Sequence, residues 1–537
     1  MLRSDKHEMT SLPRSGRCWA DWRLPPGRSM VVAALTLLAA PSQTAFGATL
    51  RATPHAGVTE TYTDNVQSVS EGAEADLITQ TEAGVNLAAE GARLDLNLDL
   101  SAVHDYFLDT DGLSGVRPKA LGSGEVELLE DHFFIASRVS LSETSTQRDG
   151  ARAATDRSLS SNRAQLLLYE VSPRFVTNFG RMLEATLEYR RSESRYSNPS
   201  TGISPVITAA PGVLPGFPDQ NQLRNQNEKT DDISLLLDTG KYFSKTNSQF
   251  ELSKTTSKGR TRGSRTEDRI ELANEYQVTR QLALIARAGY EDLGDANSTL
   301  SNRGATGAVG FHLKPGPRLD FRTEFGRKYG DKNVSADLTY KISSFYVLNA
   351  SFEQSIQTQT SSRLNQLNRL AVGPDGRLVD PFSGVFRNPG DSNFDLNNSS
   401  FREDLFQLGL TGTRGRNTIN LSADLSSRDS GQNTVKRDEL DINLNLSRRL
   451  WPQLRGSLGL GYSDTLNGGQ TAVAGVGSPV GLRANRSGEE YQGDANLEYR
   501  LGESLFSNLS YNYLKRMNNF TGDVSENVVS IGINAQF

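Results

Sequence analysis

Apolar and polar positions alternate strictly over much of this chain. The last twelve residues read ENVVSIGINAQF. Val529, Ile531, Ile533, Ala535 and Phe537 share one face, and Ser530, Gly532, Asn534 and Gln536 share the other. Side chains alternate across a strand, so this period defines one apolar and one polar face. A helix would need apolar residues three and four apart. ARLDLNLDLSA sets Leu94, Leu96, Leu98 and Leu100 against Arg93, Asp95, Asn97, Asp99 and Ser101. ELDINLNLSRR opposes Leu440, Ile442, Leu444 and Leu446 to Asp441, Asn443, Asn445 and Ser447. RGSLGLGYSD groups Leu458, Leu460 and Tyr462, and weaker versions recur throughout.

The breaks between these segments are of two kinds. Tight turns are expected near 91–92, 130–131, 178–181, 243–245, 279–281, 315–317, 343–345, 414–416, 450–453 and 501–504. Longer polar connections are expected at 148–161, 197–226, 359–400 and 466–484, rich in residues that favour turns over strands. Ten hairpins, a first strand around 50–63 and a last one at 525–537 predict about 22 strands, within a range of about 18–24.

Composition restricts what such a chain can be. Of the 537 residues 36% are hydrophobic, the mean hydropathy is −0.49, and 48 residues are glycine. That is lean for a conventional large core. Arg23 and Arg28 precede the apolar run MVVAALTLLAA, and Ala45 and Gly47 are placed for cleavage before Ala48. Residues 1–47 therefore read as a signal peptide and 48–537 as the mature chain. The run is too short to span a bilayer as a helix. Cleavage would remove the only cysteine, Cys18, which excludes disulfides and thiol chemistry from the mature chain. Residues 1–47 carry six Lys/Arg and three Asp/Glu, so their loss takes the formal charge from −5 to −8. Nucleic-acid binding gains no support from that balance.

An exported chain without apolar helices crosses a membrane only as a closed barrel. The pattern predicts an all-β, antiparallel up-and-down barrel in the bacterial outer membrane, with long extracellular loops and short periplasmic turns. An even strand number puts both ends on the periplasmic side. The expected partners are outer-membrane lipids. Val529, Ile531, Ile533, Ala535 and the terminal Phe537 resemble the sorting signal that such barrels present to their assembly machinery.

Near the mature start stands ATPHAGVTETYTDNV, followed by LITQTEAGVNLAAEGARLDLNLDL. With Glu60, Thr61, Tyr62, Thr63, Asp64, Asn65 and Val66, and the terminal Phe537, the chain resembles the outer-membrane barrels associated with exosortase (PEP-CTERM) and exopolysaccharide gene clusters, close to the broader β-barrel porin families. The resemblance covers the mature chain in architecture, but its motif says little about chemistry. It implies polysaccharide export or surface assembly, with polysaccharide and periplasmic export components as partners. From the residues alone, Asp64 and Asn65 are expected to end the first strand by bonding their own backbone. One Asp–Asn pair supplies too few oxygens for calcium.

No cofactor, metal-ligand spacing or catalytic motif stands out, so an enzyme is not expected. The mature chain has His55, His104, His132 and His312. His104 beside Asp105 is the one pair suggestive of a barrel-wall hydrolase, yet neighbours in a strand point to opposite faces. Strands begin soon after the expected cleavage site, leaving no plug of a hundred-odd residues, so energy-coupled 22-stranded transporters are expected to match poorly. Arg93, Asp95, Asp99, Arg287, Asp441, Glu498 and Arg500 are expected to face the lumen. Loops 197–226 and 359–400 are long enough to constrict it. Tyr62, Tyr106, Tyr189, Tyr290, Tyr340, Tyr462, Tyr499 and Tyr511 fit a membrane-interface girdle. The leading expectation is a porin-like conduit or secretion component for exopolysaccharide. The alternative is a scaffold with a closed lumen.

Overall fold

Alternating residues form strands here because each strand separates two environments. The computed structural model describes residues 48–537 apart from 111–114, 147–152, 156–161, 198–222, 224, 240–241, 261–262, 296–299, 301, 373–377, 386–399, 430–435, 469, 473–482, 486–487 and 519–521. The strands are β1 (Thr49–Thr63), β2 (Asp76–Glu90), β3 (Leu94–Phe107), β4 (Gly115–Leu129), β5 (Phe133–Ser145), β6 (Arg163–Phe179), β7 (Leu183–Ser197), β8 (Glu228–Thr239), β9 (Thr246–Gly259), β10 (Ser264–Gln277), β11 (Leu282–Asp295), β12 (Asn302–Gly316), β13 (Leu319–Lys328), β14 (Asp331–Lys341) and β15 (Tyr346–Gln357). Helix α1 (Gln359–Arg369) and a ribbon of β16 (Ala371–Val372) and β17 (Leu378–Val379) follow. Then come β18 (Phe401–Arg414), β19 (Asn417–Asp429), β20 (Arg437–Trp451) and β21 (Leu454–Gly468). A second ribbon, β22 (Gln470–Ala472) with β23 (Arg483–Asn485), precedes β24 (Gly488–Arg500), β25 (Leu505–Asn518) and β26 (Val524–Gln536).

Leaving out the two ribbons, 22 strands form one antiparallel sheet, closed by β1 against β26. Closure removes every unpaired strand edge, which a bilayer requires. All ten expected turns are present on one rim. The opposite rim differs from expectation at β13–β14, where only Tyr329 and Gly330 connect the strands, both at positive φ. The connection expected from residue 466 starts later, because β21 continues to Gly468.

The seam shows how the ends are held. Its register runs from His55 opposite Gln536 to Thr63 opposite Val528. The Asp64 carboxylate accepts from the Asn527 backbone N–H at 2.8 Å and from its carboxamide at 2.7 Å. Asn65 closes a local turn with Val69 and donates to the Ser525 carbonyl at 3.1 Å. At the other end the Phe537 N–H donates to the Pro54 carbonyl at 2.8 Å.

Outward faces are apolar over a limited height. Val529, Ile531 and Ile533 are exposed on β26, as is Phe537 just after it, while Ser530 is buried. On β10 and β11 exposed Ile270, Leu272, Leu284 and Tyr290 lie below the outward pairs Lys254–Asp268 and Arg303–Asp292. Trp451, Phe179, Tyr242, Phe345, Tyr340 and Tyr499 are exposed near the tight turns. This lipid-facing apolar belt with an aromatic lower border places the barrel in the bacterial outer membrane. Of the eight tyrosines expected in the girdle, seven are exposed, and Tyr462 is half-buried with its ring 5.1 Å from Tyr491. Among the described residues no helix is long and apolar enough to cross a membrane.

Candidate functional site: the lumen and the connection folded into it

Inside the barrel the wall is of three kinds. The first is apolar. Ala164, Leu166 and Leu168 on β6 and Tyr196 on β7 are buried in one cluster with Leu223 and with Leu364 and Leu367 of α1. The continuous run LLL at 166–168 marks it in the sequence: a strand apolar on both faces is covered on both. The cover on the inner face is α1.

Helix α1 is anchored by polar contacts as well. Thr358 and Ser361 form a reciprocal capping box, satisfying N-terminal donors of the helix. The Thr358 hydroxyl donates to the Glu228 carboxylate at 2.9 Å. Thr360 and Ser194 hydroxyls lie 2.9 Å apart, and Arg363 donates to Thr144 at 3.0 Å. Arg138 donates to the Leu367 carbonyl at 3.3 Å and also bonds Asn368. Arg369 reaches Glu353 at 3.4 Å. Burial lowers the pKa of the Arg363 guanidinium, against the attraction of Tyr196.

The same connection meets the wall again further on. Asp380 bonds the Phe382 N–H and the Ser383 hydroxyl, folding 380–385 into a compact turn. Its carbonyls accept from the wall, Phe382 from Asn349 at 2.8 Å and Gly384 from Asn420 at 2.7 Å. Gly409 on β18 makes room for this, since a Cβ there would lie 2.5 Å from the Phe382 carbonyl oxygen. The expectation that 359–400 enters the lumen holds for its described residues. Most of 197–226 and 148–161 lies outside the described residues. Leu223 nevertheless packs on α1, and the Ala154 N–H donates to Glu526 at 2.7 Å near the seam.

The second kind of wall is ion-paired. Arg287 bonds Glu324 at 2.5 Å and Glu271 at 2.6 Å. Arg322 bridges Glu324 and Glu275, and His312 lies between Glu275 and Asp320 at 2.9 and 2.7 Å. Arg117 pairs with Asp105 and Glu143, Arg428 with Glu403 and Glu439, and Arg516 with Glu490. Arg117, Arg428 and Arg516 meet their partners on adjacent strands, where register brings them together, whereas Arg287–Glu324, His312–Glu275 and Arg322–Glu275 reach across one or two intervening strands.

The third is rich in carboxamides and open. A cavity of about 670 Å³ is lined by Asn443, Asn445, Gln492, Asn496, Asn508, Asn512, Asn534 and Gln80, by Thr59, Ser457 and Ser510, and by Glu82, Asp494 and Glu498, with Val385 of the inserted turn at its edge. Asp494 lies flat across Gly459, where a Cβ would lie 1.9 Å from its carboxylate oxygen. Carboxamides and hydroxyls both donate and accept, so this wall can bind water or a hydroxyl-rich solute.

Of the residues singled out from the sequence, Asn443, Asn445 and Glu498 line the cavity, and Thr59, next to the family-like motif, lines it too. Thr61 bonds Ser530, Thr63 bonds Glu526, and Asp64 and Asn65 hold the seam. Val66 is buried with Ile78 and Phe107, and Tyr62 faces outward. Glu60 accepts from Thr79 at 3.0 Å. Ala48 precedes β1, while Ala45 and Gly47 lie outside the described residues. His104 and Asp105 are not brought together: Asp105 is buried and bonded to Arg117 and Gln80, while His104 is exposed. Among the described residues no group of His, Cys, Asp and Glu could hold a metal ion. Sequence reasoning missed α1, the Gly409 contact and the concentration of carboxamides on one wall. The LLL run and the asparagines at 443, 445, 496, 508, 512 and 534 were the available signals.

A closed barrel with a lipid-facing belt and a polar interior defines an outer-membrane β-barrel protein. No protein-family model and no curated protein matches the sequence. Among solved structures the chain is similar to the FrpB iron transporter from Neisseria meningitidis, at 9% identity and TM-score 0.48 over 90% of this chain and 82% of that one. It is similar to the siderophore receptor PirA from Acinetobacter baumannii, at 8% and 0.46 over 90% and 80%. It is also similar to the ferric-catecholate import receptor Fiu from E. coli K12, at 9% and 0.47 over 91% and 82%.

Proposed function

We propose that this outer-membrane barrel is a passive, porin-like conduit serving exopolysaccharide traffic, narrowed by α1 and the turn at 380–385. The observation that carries this reading is the uncovered carboxamide wall with its cavity of about 670 Å³. That volume lies within the range of small-molecule sites, about 300–1,000 Å³. A barrel whose lumen served only as packing would fill this wall with larger side chains. The family resemblance adds polysaccharide and periplasmic export components as partners, and the barrel assembly machinery as the reader of Phe537.

Single-channel conductance of refolded 48–537 in a planar bilayer tests the conduit, after a heat-dependent gel shift has verified the barrel. Steady conductance that a polysaccharide blocks supports it. Silence from a folded barrel sinks it and selects a scaffold with a closed lumen, which the docking of α1 favours. A barrel-wall hydrolase gains nothing from His104 and Asp105, which point to opposite faces.

A further inference from the structure

Positive charge at the short-turn rim stands without counter-charge. Deeper in the lumen arginines pair with carboxylates, as in Glu271–Arg287–Glu324. At the rim between β12 and β25, Arg318, Lys341, Arg416, Arg449, Arg455 and Arg500 are all exposed. Among the described residues none of the six is ion-paired. Against them stand Glu498, opposite Arg455 in the register, and Glu503 in the β24–β25 turn. Alternation sets four of the six on the lumen face. Asn443, Asn445, Ser457 and Asn496 line the cavity, and Arg449, Arg455 and Arg500 stand at even steps from them on the same strands. Lys341 follows Thr339, which bonds Asn349, the residue that donates to the Phe382 carbonyl inside the barrel. Arg318 and Arg416 lie in the turns, and their carbonyls accept from the Lys341 and Arg449 N–H groups at 2.8 and 3.0 Å.

One ladder position shows what this arrangement lacks. Arg449 and Arg455 are direct partners in the β20–β21 register. Like charges directly opposite each other destabilise a strand pair, and an anion held between them would reverse the sign of that contact. Arg416, Arg449 and Arg455 belong to neighbouring strands, which stand about 4.8 Å apart, close to the length of one sugar residue. The other arc of the same rim is acidic. Glu90 on β2 stands opposite Asp95 on β3, and Glu184 on β7 opposite Asp238 on β8. We propose that the basic arc is the capture site of the conduit, where a polyanionic glycan with a carboxylate on each sugar enters from the rim of short turns, the periplasmic side of such barrels. The guanidinium groups take the carboxylates as charge-assisted, bidentate hydrogen bonds. The acidic arc repels the chain and holds it to one side of the mouth. Because the cations face the lumen, a chain in the mouth fits them better than a lipid headgroup outside the barrel. The proposal rests on the conduit reading and deepens it by naming the charge class of the chain.

The test is equilibrium binding of an oligogalacturonate and of its fully methyl-esterified counterpart to refolded 48–537 in detergent. The free acid is expected to bind about tenfold more tightly than the ester, and less tightly as salt is raised. The triple variant Lys341→Gln, Arg449→Gln, Arg455→Gln is expected to erase that preference, with the heat-dependent gel shift of the barrel unchanged. Arg449→Lys with Arg455→Lys keeps the charge and is expected to retain most of it. A control variant, Lys254→Gln, Arg303→Gln, Lys332→Gln, removes the same charge from the opposite end of the barrel and is expected to bind as the parent does. Equal binding of acid and ester, binding of neither, or an equal loss in the control variant would each overturn the capture site. So would displacement of the free acid by phosphatidylglycerol added to the micelles, which would assign the arginines to lipid. Binding without conductance would remove the conduit and leave the site. Conductance without binding would do the reverse.

Discussion

The inner face of β6 and β7 and the inner face of β20 to β26 have the same strand geometry and opposite fates. On the first, Ala164, Leu166, Leu168 and Tyr196 are buried under α1. On the second, Asn443, Asn445, Gln492 and Asn508 border open space. Inward side chains therefore report what lies over them. An apolar patch inside a barrel loses free energy in water, roughly 25 cal/mol per Å² left exposed, so it calls for protein cover. Carboxamides carry no such cost and can be left wet.

Undocking α1 would have the largest effect on this contrast. Leu364→Asp together with Leu367→Asp would bury two unpaired carboxylates, so the helix is expected to leave the wall. New protease cleavage within 359–369 and a several-fold rise in conductance would register this, with the gel shift of the barrel intact. Truncation of either leucine to alanine is expected to cost about 2–5 kcal/mol locally, and unchanged protease resistance in the double Asp variant would show that the apolar patch does not hold α1.

Gly409→Leu comes next. Its side chain would occupy the place of the Phe382 carbonyl and displace the turn at 380–385, while α1 stays docked. Faster exchange of the Gly384 N–H, without new cleavage in α1, is the expected result. On the open wall, Gly461→Phe places its Cβ 3.3 Å from the Gln492 Cβ, a tight contact that a shift of a few tenths of an ångström relieves. It is expected to lower conductance by filling the cavity while leaving the barrel as heat-resistant as before. An equal loss of heat resistance would mean that this wall, too, is packed. Thr358→Ala is the mildest, removing the cap and the contact with Glu228. About 1 kcal/mol of helix docking is expected to be lost, seen as modestly faster exchange of the first-turn amides in α1.

Away from the lumen, the residues that carry the family resemblance turn out to be seam residues. Asp64 was legible as a strand end, because Asp and Asn bond their own backbone locally. Its grip on Asn527, 463 residues away, was not, since only closure brings the two together. The tyrosines were legible as interfacial in the same way, by local amphipathicity, and the tight turns by their spacing. Helix α1 was read as loop because its eleven residues, QTSSRLNQLNR, present only two apolar side chains. An isolated helix of that length is marginal in water and forms here through its cap and its docking.

By itself, the sequence determined strand number, which face of each strand meets lipid, and which rim carries the short turns. Those features follow from a two-residue period and from turn residues, and both act over a few positions. Only the tertiary structure decided which inward faces are covered and which stay open. Covering depends on closing a 22-stranded ring and on where one long connection finds an apolar patch, and neither pairing of distant residues is written in any local pattern.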